Sequence, residues 1–399
     1  MKCDIKNKNI ILGVSGGIAA YKSVELLRLF KKSETNVRVI MTQNAKWFVG
    51  QLTFEALSEN PVSDSLFLKE GNDASIKHIQ WAQEADAVVI APATANIIGK
   101  IAGGIADDAL STFILAVTAP ILICPSMNTN MYESKAVQRN LKTLKKDGFT
   151  IIDPSEGELA CGTTGPGRMP EPEEILDRLL WRLSPKDLQN KKILVTAGPT
   201  QEHLDPVRFI SNPSSGKMGY AIAKAAEYRG ADVTLVSGPS QLLDPVNVNT
   251  IRVKSAEEMG SAVFEQFETV DIVIKAAAVS DYRADEQAKQ KIKKDAIEKA
   301  VSLKKNIDIL KELGKKKKDQ ILVGFAAETE SLEKNAGKKL KDKNLDMIVG
   351  NIVGGPTSGF AADTNVATLF YKDGKKESLN EMSKEALAHT ILDRIIKGV

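Results

Sequence analysis

The chain has 399 residues, 43% hydrophobic, 26% charged and 5% aromatic, a length that favours two cores over one and a composition that excludes disorder and a membrane-embedded class. Its 54 basic and 51 acidic residues leave a formal net charge of +3, too balanced for a general polyanion binder, and so few aromatics argue against a base-stacking nucleic-acid surface. Any anion site is therefore local.

The first ten residues, MKCDIKNKNI, are polar and lack the apolar segment of a secretory signal, and no stretch reaches membrane-spanning length. Cys3, Cys124 and Cys161 are too few and too scattered for a disulfide framework or a zinc site. A cytoplasmic enzyme is expected. An apolar run at 10–14 ends in Ser15, Gly16 and Gly17 and passes into a helical pattern through Leu26, Leu27 and Phe30, which reads as strand, tight loop, helix. Strands follow at 37–41, 87–91 and 121–124, separated by helical segments, so the spacing predicts a parallel sheet covered on both faces. The 15–17 turn suits a phosphate or an ordinary turn equally, since it lacks the full G-x-G-x-x-G and Walker patterns. Thr42 and the run APATAN (91–96), which contains Ala93 and Thr94, end neighbouring strands and converge on the same sheet edge. His78 precedes the third strand, Asn128 sits in PSMNTNMY after the fourth, and Cys161 lies in a glycine-rich loop fit to close over a ligand. Each has an ordinary structural reading: an exposed histidine, a turn-forming asparagine, an unremarkable thiol.

A polar, proline-rich stretch from 153 to 172 precedes a helix through Ile175, Leu179 and Leu183, and the short polar segment 183–192 marks the boundary, giving domains 1–187 and 188–399. Strands are predicted again at 193–196, 233–237, 272–275, 321–325 and 347–351, alternating with helices. The long loop 198–219 offers Asn212, Ser214, Ser215 and Gly216 to an anion. KAAAVSDYR (275–283) ends a strand with small residues; there Asp281 fits a hydrated magnesium ion or a helix cap. KIKK (291–294) could neutralise a triphosphate or form a solvated basic face, and the lysines at 315–318 read as a solvated face.

In this order SGGIAAYK, His78, PATAN, PSMNTNMY, ACGTTGPGRM, TAGPTQE, RFISNPSSGKMG, AAAVSDYR, KIKK, GFAAET and KKLKDKNLD span nearly the whole chain. Together they resemble the bifunctional phosphopantothenoylcysteine decarboxylase/phosphopantothenate-cysteine ligase family of coenzyme A biosynthesis. The resemblance implies a flavodoxin-like, doubly wound parallel α/β domain binding FMN, followed by a Rossmann-like α/β ligase domain. It places Ser15, Gly16, Gly17, Thr42, Ala93, Thr94 and Ser111 at or near FMN. The flavin would oxidise the substrate thiol to a thioaldehyde, making the neighbouring carboxylate easy to lose. His78 matches the catalytic histidine, Asn128 the contact to the departing carboxylate, and Cys161 the clamp cysteine that protonates the ene-thiol. In the second half the resemblance implies that phosphopantothenate attacks CTP to give an acyl-cytidylate, from which the amine of L-cysteine displaces CMP. Ala276, Ala277, Asp281, Lys291, Asn306, Asp308, Ile309, Phe325, Lys339 and Lys343 match CTP positions, with Asp281 towards magnesium, Lys291 stabilising charge and Asn212 holding the intermediate. Where many relatives have Asn-Pro-Asp-Ile, this chain has Asn306, Ile307, Asp308 and Ile309, which removes a rigid constraint from that loop. The implied assembly is trimeric through the first domain and dimeric through the second, possibly a dodecamer, with no nucleic-acid or membrane partner. A peptide-directed flavin decarboxylase shares the first-half motifs, but the intact ligase-like half argues against it. A flavin-binding regulator need not keep His78, Asn128 and Cys161 together.

Overall fold

The computed structural model describes residues 5–65, 74–158, 162, 164–292, 301–328, 330–352 and 362–398, with the backbone alone at 74–78 and 352. The chain divides into two compact units, with the break between Leu183 and Ser184.

The first unit runs β1 (Asn9–Val14), α1 (Ala20–Lys32), β2 (Asn36–Met41), α2 (Gln51–Ser58), α3 (Ala74–Glu84), β3 (Ala87–Ala93), α4 (Ala95–Ala102), α5 (Ala109–Ala116), β4 (Ile121–Pro125), α6 (Thr129–Glu133), α7 (Lys135–Lys146) and β5 (Thr150–Ile151). A hairpin of β6 (Ser155–Glu158) and β7 (Thr164–Arg168) and the helix α8 (Pro172–Leu183) complete it. Five strands pair in parallel in the order β2-β1-β3-β4-β5, the flavodoxin-like order, whose chain reversal lies between β1 and β3. The strands are continuous apolar runs because both faces are buried. Ile10, Leu12 and Val14 enter one core with α1 and α8, while Ile11 enters a second with α4, α5 and α7.

The second unit contains β8 (Lys192–Ala197), β9 (Gln201–His203), β10 (Phe209–Ser211), α9 (Lys217–Tyr228), β11 (Asp232–Ser237), β12 (Asn249–Arg252), α10 (Ala256–Gln266), β13 (Ile272–Lys275), β14 (Tyr282–Ala284), β15 (Leu303–Lys305) and α11 (Ile309–Lys316). There follow β16 (Ile321–Glu328), α12 (Leu332–Asp342), β17 (Met347–Ile352), β18 (Thr364–Asn365), β19 (Ala367–Tyr371), β20 (Lys376–Ser378), β21 (Met382–Ser383) and α13 (Lys384–Ile396). Its main sheet has the order β12-β11-β8-β13-β16-β17-β19-β20, parallel as far as β17 and antiparallel beyond. This is the Rossmann arrangement with a folded-back edge, and the chain reversal falls between β8 and β13. Here too the strand alternation serves two cores: Ile193 and Val195 pack with α9 and α13, Leu194 with α10, α11 and α12.

Each apolar run read as a strand is one. Within the stretch expected to be a long loop, 198–219, β9 and β10 form a small antiparallel ladder with the His203 and Phe209 rings 5.4 Å apart. Residues 184–187 belong to the second unit. The reason lies in Arg229, buried at the end of α9, which pairs with Asp187 at 2.6 Å and with Asp393 of α13 at 2.8 Å. A buried guanidinium requires such partners. Among the described residues no helix is long and apolar enough to cross a membrane.

Candidate functional site

In the first unit the loops leaving β1, β2, β3 and β4 surround a cavity of about 980 Å³. Ser15, Gly16, Gly17, Thr42, Thr94 and Asn128 all line it. Ser15 is 1% exposed. Its hydroxyl donates to the Pro92 carbonyl at 2.7 Å and accepts the Thr94 N–H at 3.0 Å, which locks the β1 and β3 loops together. Gly16 is required by space: a Cβ there would lie 2.5 Å from the Asn44 Cβ and 2.7 Å from its backbone carbon. The Thr42 hydroxyl is buried and has no hydrogen-bond partner among the described residues. A hydroxyl so placed on a cavity wall is free to bond a molecule that enters it. Asn128 caps α6, its Oδ1 accepting the Asn130 N–H at 2.9 Å. The Gly167 carbonyl accepts the Met127 N–H at 3.0 Å, so the β6–β7 hairpin is held against the Asn128 loop.

Two cations of the wall are already committed. Lys22 pairs with Glu171 at 2.7 Å, and Lys100 with Asp107 at 2.7 Å and Asp108 at 2.8 Å. Burial pushes the Asp108 carboxyl up, but Lys100 and the Ser111 N–H and hydroxyl outweigh it and hold the carboxyl below its usual range. Ser111 spends its hydroxyl on the capping box with Asp108 and does not line the cavity, nor does Ala93, buried within β3. His78 falls in α3, ahead of β3; its side chain, and Cys161 between β6 and β7 in the sequence, lie outside the described residues. Cys124 is the other thiol of this region, and burial pushes it far up, so it is a core residue and not a nucleophile.

At the second chain reversal, Thr196, one residue before the end of β8, organises the segment after β13. Its carbonyl accepts the Ala276 N–H at 3.2 Å and its hydroxyl the Ala277 N–H at 3.2 Å. Gly219 lets α9 approach that strand end, since a Cβ there would meet the Ala197 Cβ at 2.5 Å. Asn212 reaches across with its amide NH2, donating to the Ala278 and Val279 carbonyls at 3.2 Å each. Asn306 is similarly anchored: its N–H donates to the Asp281 carbonyl at 2.8 Å, its amide to Ser280 at 2.8 Å, and its Oδ1 accepts from Arg283 at 2.9 Å. Without a proline, this loop is held by side-chain bonds. Asp308 caps α11 and pairs with Lys343 at 2.8 Å; Lys339 pairs with Glu328 at 2.6 Å. Despite burial, these lysines, helped by the Lys311 and Asn335 donors, hold both carboxyls below their usual range. Ile309 is buried in the core, Phe325 is half-buried on β16, and Asp281 and Lys291 are exposed.

The 188–399 segment matches the family described as the DNA/pantothenate metabolism flavoprotein C-terminal domain, and 2–184 matches the flavoprotein family. The coenzyme A biosynthesis bifunctional protein CoaBC of Bacillus subtilis is 49% identical over 98% of this chain and 97% of its own length. The protein of the same description from Haemophilus influenzae is 48% identical over 98% of both chains. The chain belongs to this bifunctional CoaBC family. A crystal structure of the C-terminal domain of a CoaBC protein is 45% identical, covers 53% of this chain and 97% of that one, and superposes with a TM-score of 0.46.

One residue at the ligase-side reversal escaped the sequence reading. Lys275 ends β13 half-buried, beside Thr196 of β8 and Gly324 of β16. Burial, with repulsion from Lys343, pushes its ammonium down to about 8 against the attraction of Asp308 and Asp281. The signal was present as a lysine closing the apolar strand IVIK, which reads locally as a polar terminator; only the strand order shows that this end is the crevice.

Proposed function

We propose that the chain catalyses two consecutive steps of coenzyme A biosynthesis. Residues 188–399 join L-cysteine to 4'-phosphopantothenate through a CTP-derived acyl-cytidylate, and residues 1–187 decarboxylate phosphopantothenoylcysteine to 4'-phosphopantetheine with FMN. The observation that carries this reading is the convergence of Ser15, Gly16, Gly17, Thr42, Thr94 and Asn128 on one cavity at the β1/β3 reversal.

These residues fit a flavin mononucleotide. The Ser15 N–H is donated to the Pro92 carbonyl, but the Gly16 and Gly17 backbone leads into α1, where a phosphate is favoured, and the Thr42 hydroxyl has a bond to give. Bound FMN supplies the two-electron oxidation that makes the carboxylate a viable leaving group. Asn128, a neutral amide on the wall, hydrogen-bonds that carboxylate without stabilising its charge as a cation would. His78 and Cys161 are assigned acid-base work on the substrate.

On the ligase side a free carboxylate is a poor acyl donor, so it must first be activated. Lys291 has no ion-pair partner among the described residues, which leaves its charge for phosphate oxygens that become more anionic as the acyl-nucleotide forms. Lys339 and Lys343 reach the nucleotide by exchanging their carboxylate partners for phosphate. Among the described residues no three His, Cys, Asp or Glu side chains form a metal cluster; Asp281 would meet a magnesium ion that the nucleotide phosphates largely ligate. Ile18 and Tyr21 line the flavin-side cavity yet are 63% and 54% exposed. That apolar rim supports the self-association through the first domain expected from the resemblance, where it is trimeric; the dimer through the second domain and the dodecamer rest on the resemblance alone.

The test is an absorbance spectrum of the purified protein, then turnover with 4'-phosphopantothenate, L-cysteine, magnesium and either CTP or ATP. Bound flavin and CTP-dependent formation of 4'-phosphopantetheine with carbon dioxide establish both halves. A colourless protein that stops at phosphopantothenoylcysteine removes the decarboxylase assignment, and a yellow protein inert towards nucleotide removes the ligase.

A further inference from the structure

Asp205 lies in the turn between β9 and β10 and is 0% exposed. A buried carboxylate needs donors, and this one has three, all backbone N–H groups. Its Oδ1 accepts from Val207 at 2.7 Å and Arg208 at 2.8 Å, which closes its own turn. Its Oδ2 serves a different segment: it accepts the N–H of Ile292 at 3.1 Å, 87 residues further along the chain. The Ala288 N–H donates to the Leu204 carbonyl at 2.9 Å and ties the same two segments a second time. Burial pushes the Asp205 carboxyl up, but the three N–H donors outweigh it and keep it below the usual range, so it is an anion at neutral pH.

The Ile292 N–H belongs to the peptide plane that directly follows the Lys291 Cα, so holding it restrains the Lys291 backbone. The Lys291 side chain is exposed and has no hydrogen bond or ion pair among the described residues. A flexible four-carbon stem of that kind takes its direction from its backbone.

We propose that Asp205 is a positioning residue for ligation: by holding the Ile292 N–H, its Oδ2 sets the direction in which Lys291 presents its ammonium to the nucleotide. This rests on the role given to Lys291 above. The substitution Asp205→Asn separates the two jobs of the carboxylate. The amide oxygen keeps the two N–H groups of the turn, and the NH2 then faces the Ile292 N–H, donor against donor.

The experiment uses the full chain with 4'-phosphopantothenate, L-cysteine, CTP and magnesium, following pyrophosphate release in Asp205→Asn, Lys291→Met and the double variant. Asp205→Asn is expected to lower kcat about tenfold to a hundredfold, with the KM for L-cysteine kept within about twofold. Amide hydrogen exchange should quicken at Ile292 and stay unchanged at Val207 and Arg208. In the Lys291→Met background Asp205→Asn should cost less than about a further twofold, because the group it acts through is gone. Effects that multiply in the double variant overturn the proposal and leave Asp205 a purely structural residue. Full ligation by Lys291→Met overturns the lysine's role first and the proposal with it, a result told apart by its appearing in the single variant. If Asp205→Asn does not fold, Ile292→Pro deletes the same hydrogen bond from the donor side, and an undiminished kcat there also overturns the proposal.

Discussion

At the first unit's chain reversal the ligand would meet mainly hydroxyls, amides and glycine backbone, and the cations of the wall are engaged, Lys22 and Arg168 with Glu171 and Lys100 with Asp107 and Asp108. At the second unit's reversal the strand end carries Lys275, and Lys339 and Lys343 stand beside it in ion pairs. Both sheets place a crevice at the same topological point, yet one is a built pocket and the other a set of charges held in reserve. On the proposed function, the contrast suits a cofactor that stays against a nucleotide that must arrive and leave. Preformed neutral contacts favour retention, whereas cations that must give up internal carboxylates bind more weakly and with greater salt dependence.

The sharpest way to break this comparison is Gly16→Ala. The added Cβ would press on Asn44 at 2.5 Å, and overpacking of that order costs about 1–3 kcal/mol. Flavin content is expected to fall at least about tenfold, with decarboxylation lost and ligation retained; a yellow Gly16→Ala protein contradicts the preformed pocket. Next in size is Lys275→Met. Its folded value of about 8 lies below the ordinary lysine range, so the unfolded chain holds this proton more tightly than the folded one. The contribution of Lys275 to stability is therefore least favourable below pH 8 and improves as pH climbs from about 8 towards the ordinary lysine value. Lys275→Met should stabilise the ligand-free protein at pH 7 by on the order of 1–2 kcal/mol and flatten that rise, while weakening ligation. Chemical denaturation at pH 7 and pH 9.5 measures it, and an equal effect at both values argues against the shifted lysine.

Smaller effects refine the comparison. Thr42→Val removes a hydroxyl that has no protein partner, so ligand-free stability should hold or rise slightly while flavin affinity drops by about 1 kcal/mol, roughly fivefold. Flavin titration of the stripped protein decides it, and unchanged affinity would mean that this hydroxyl does not meet the cofactor. On the other side, Glu328→Gln frees Lys339 from its carboxylate. The KM for CTP should fall about twofold and become more sensitive to salt; a raised KM would show that the ion pair orients the lysine instead of holding it back.

How much of this was legible in the sequence depended on distance. Runs such as IILGV in β1 and KILVTA in β8 are apolar on both faces because two cores claim them, so they stand out as strands. The two-residue β5, the polar β9–β10 ladder and the folded-back β19 and β20 have no such signature, since pairing with a neighbour rather than burial defines them. Ser15, Thr42, Thr94 and Asn128 could be gathered from sequence because each follows a predicted strand, and strand ends of a doubly wound sheet meet. Ser111 did not join them at the wall, because the first turn of α5 uses its hydroxyl for capping. Asp205 was invisible for the opposite reason: nothing near it in the chain announces a partner at Ile292.

Asp187 precedes the first strand of the ligase half, yet it neutralises a guanidinium that lies beneath α9 and α13. The seam between the two enzymes is thus set by a counter-ion and not by where the nucleotide fold begins. A ligase severed from its companion at residue 188 would carry an arginine into its interior with one of two carboxylates gone; one severed at Ser184 would keep both.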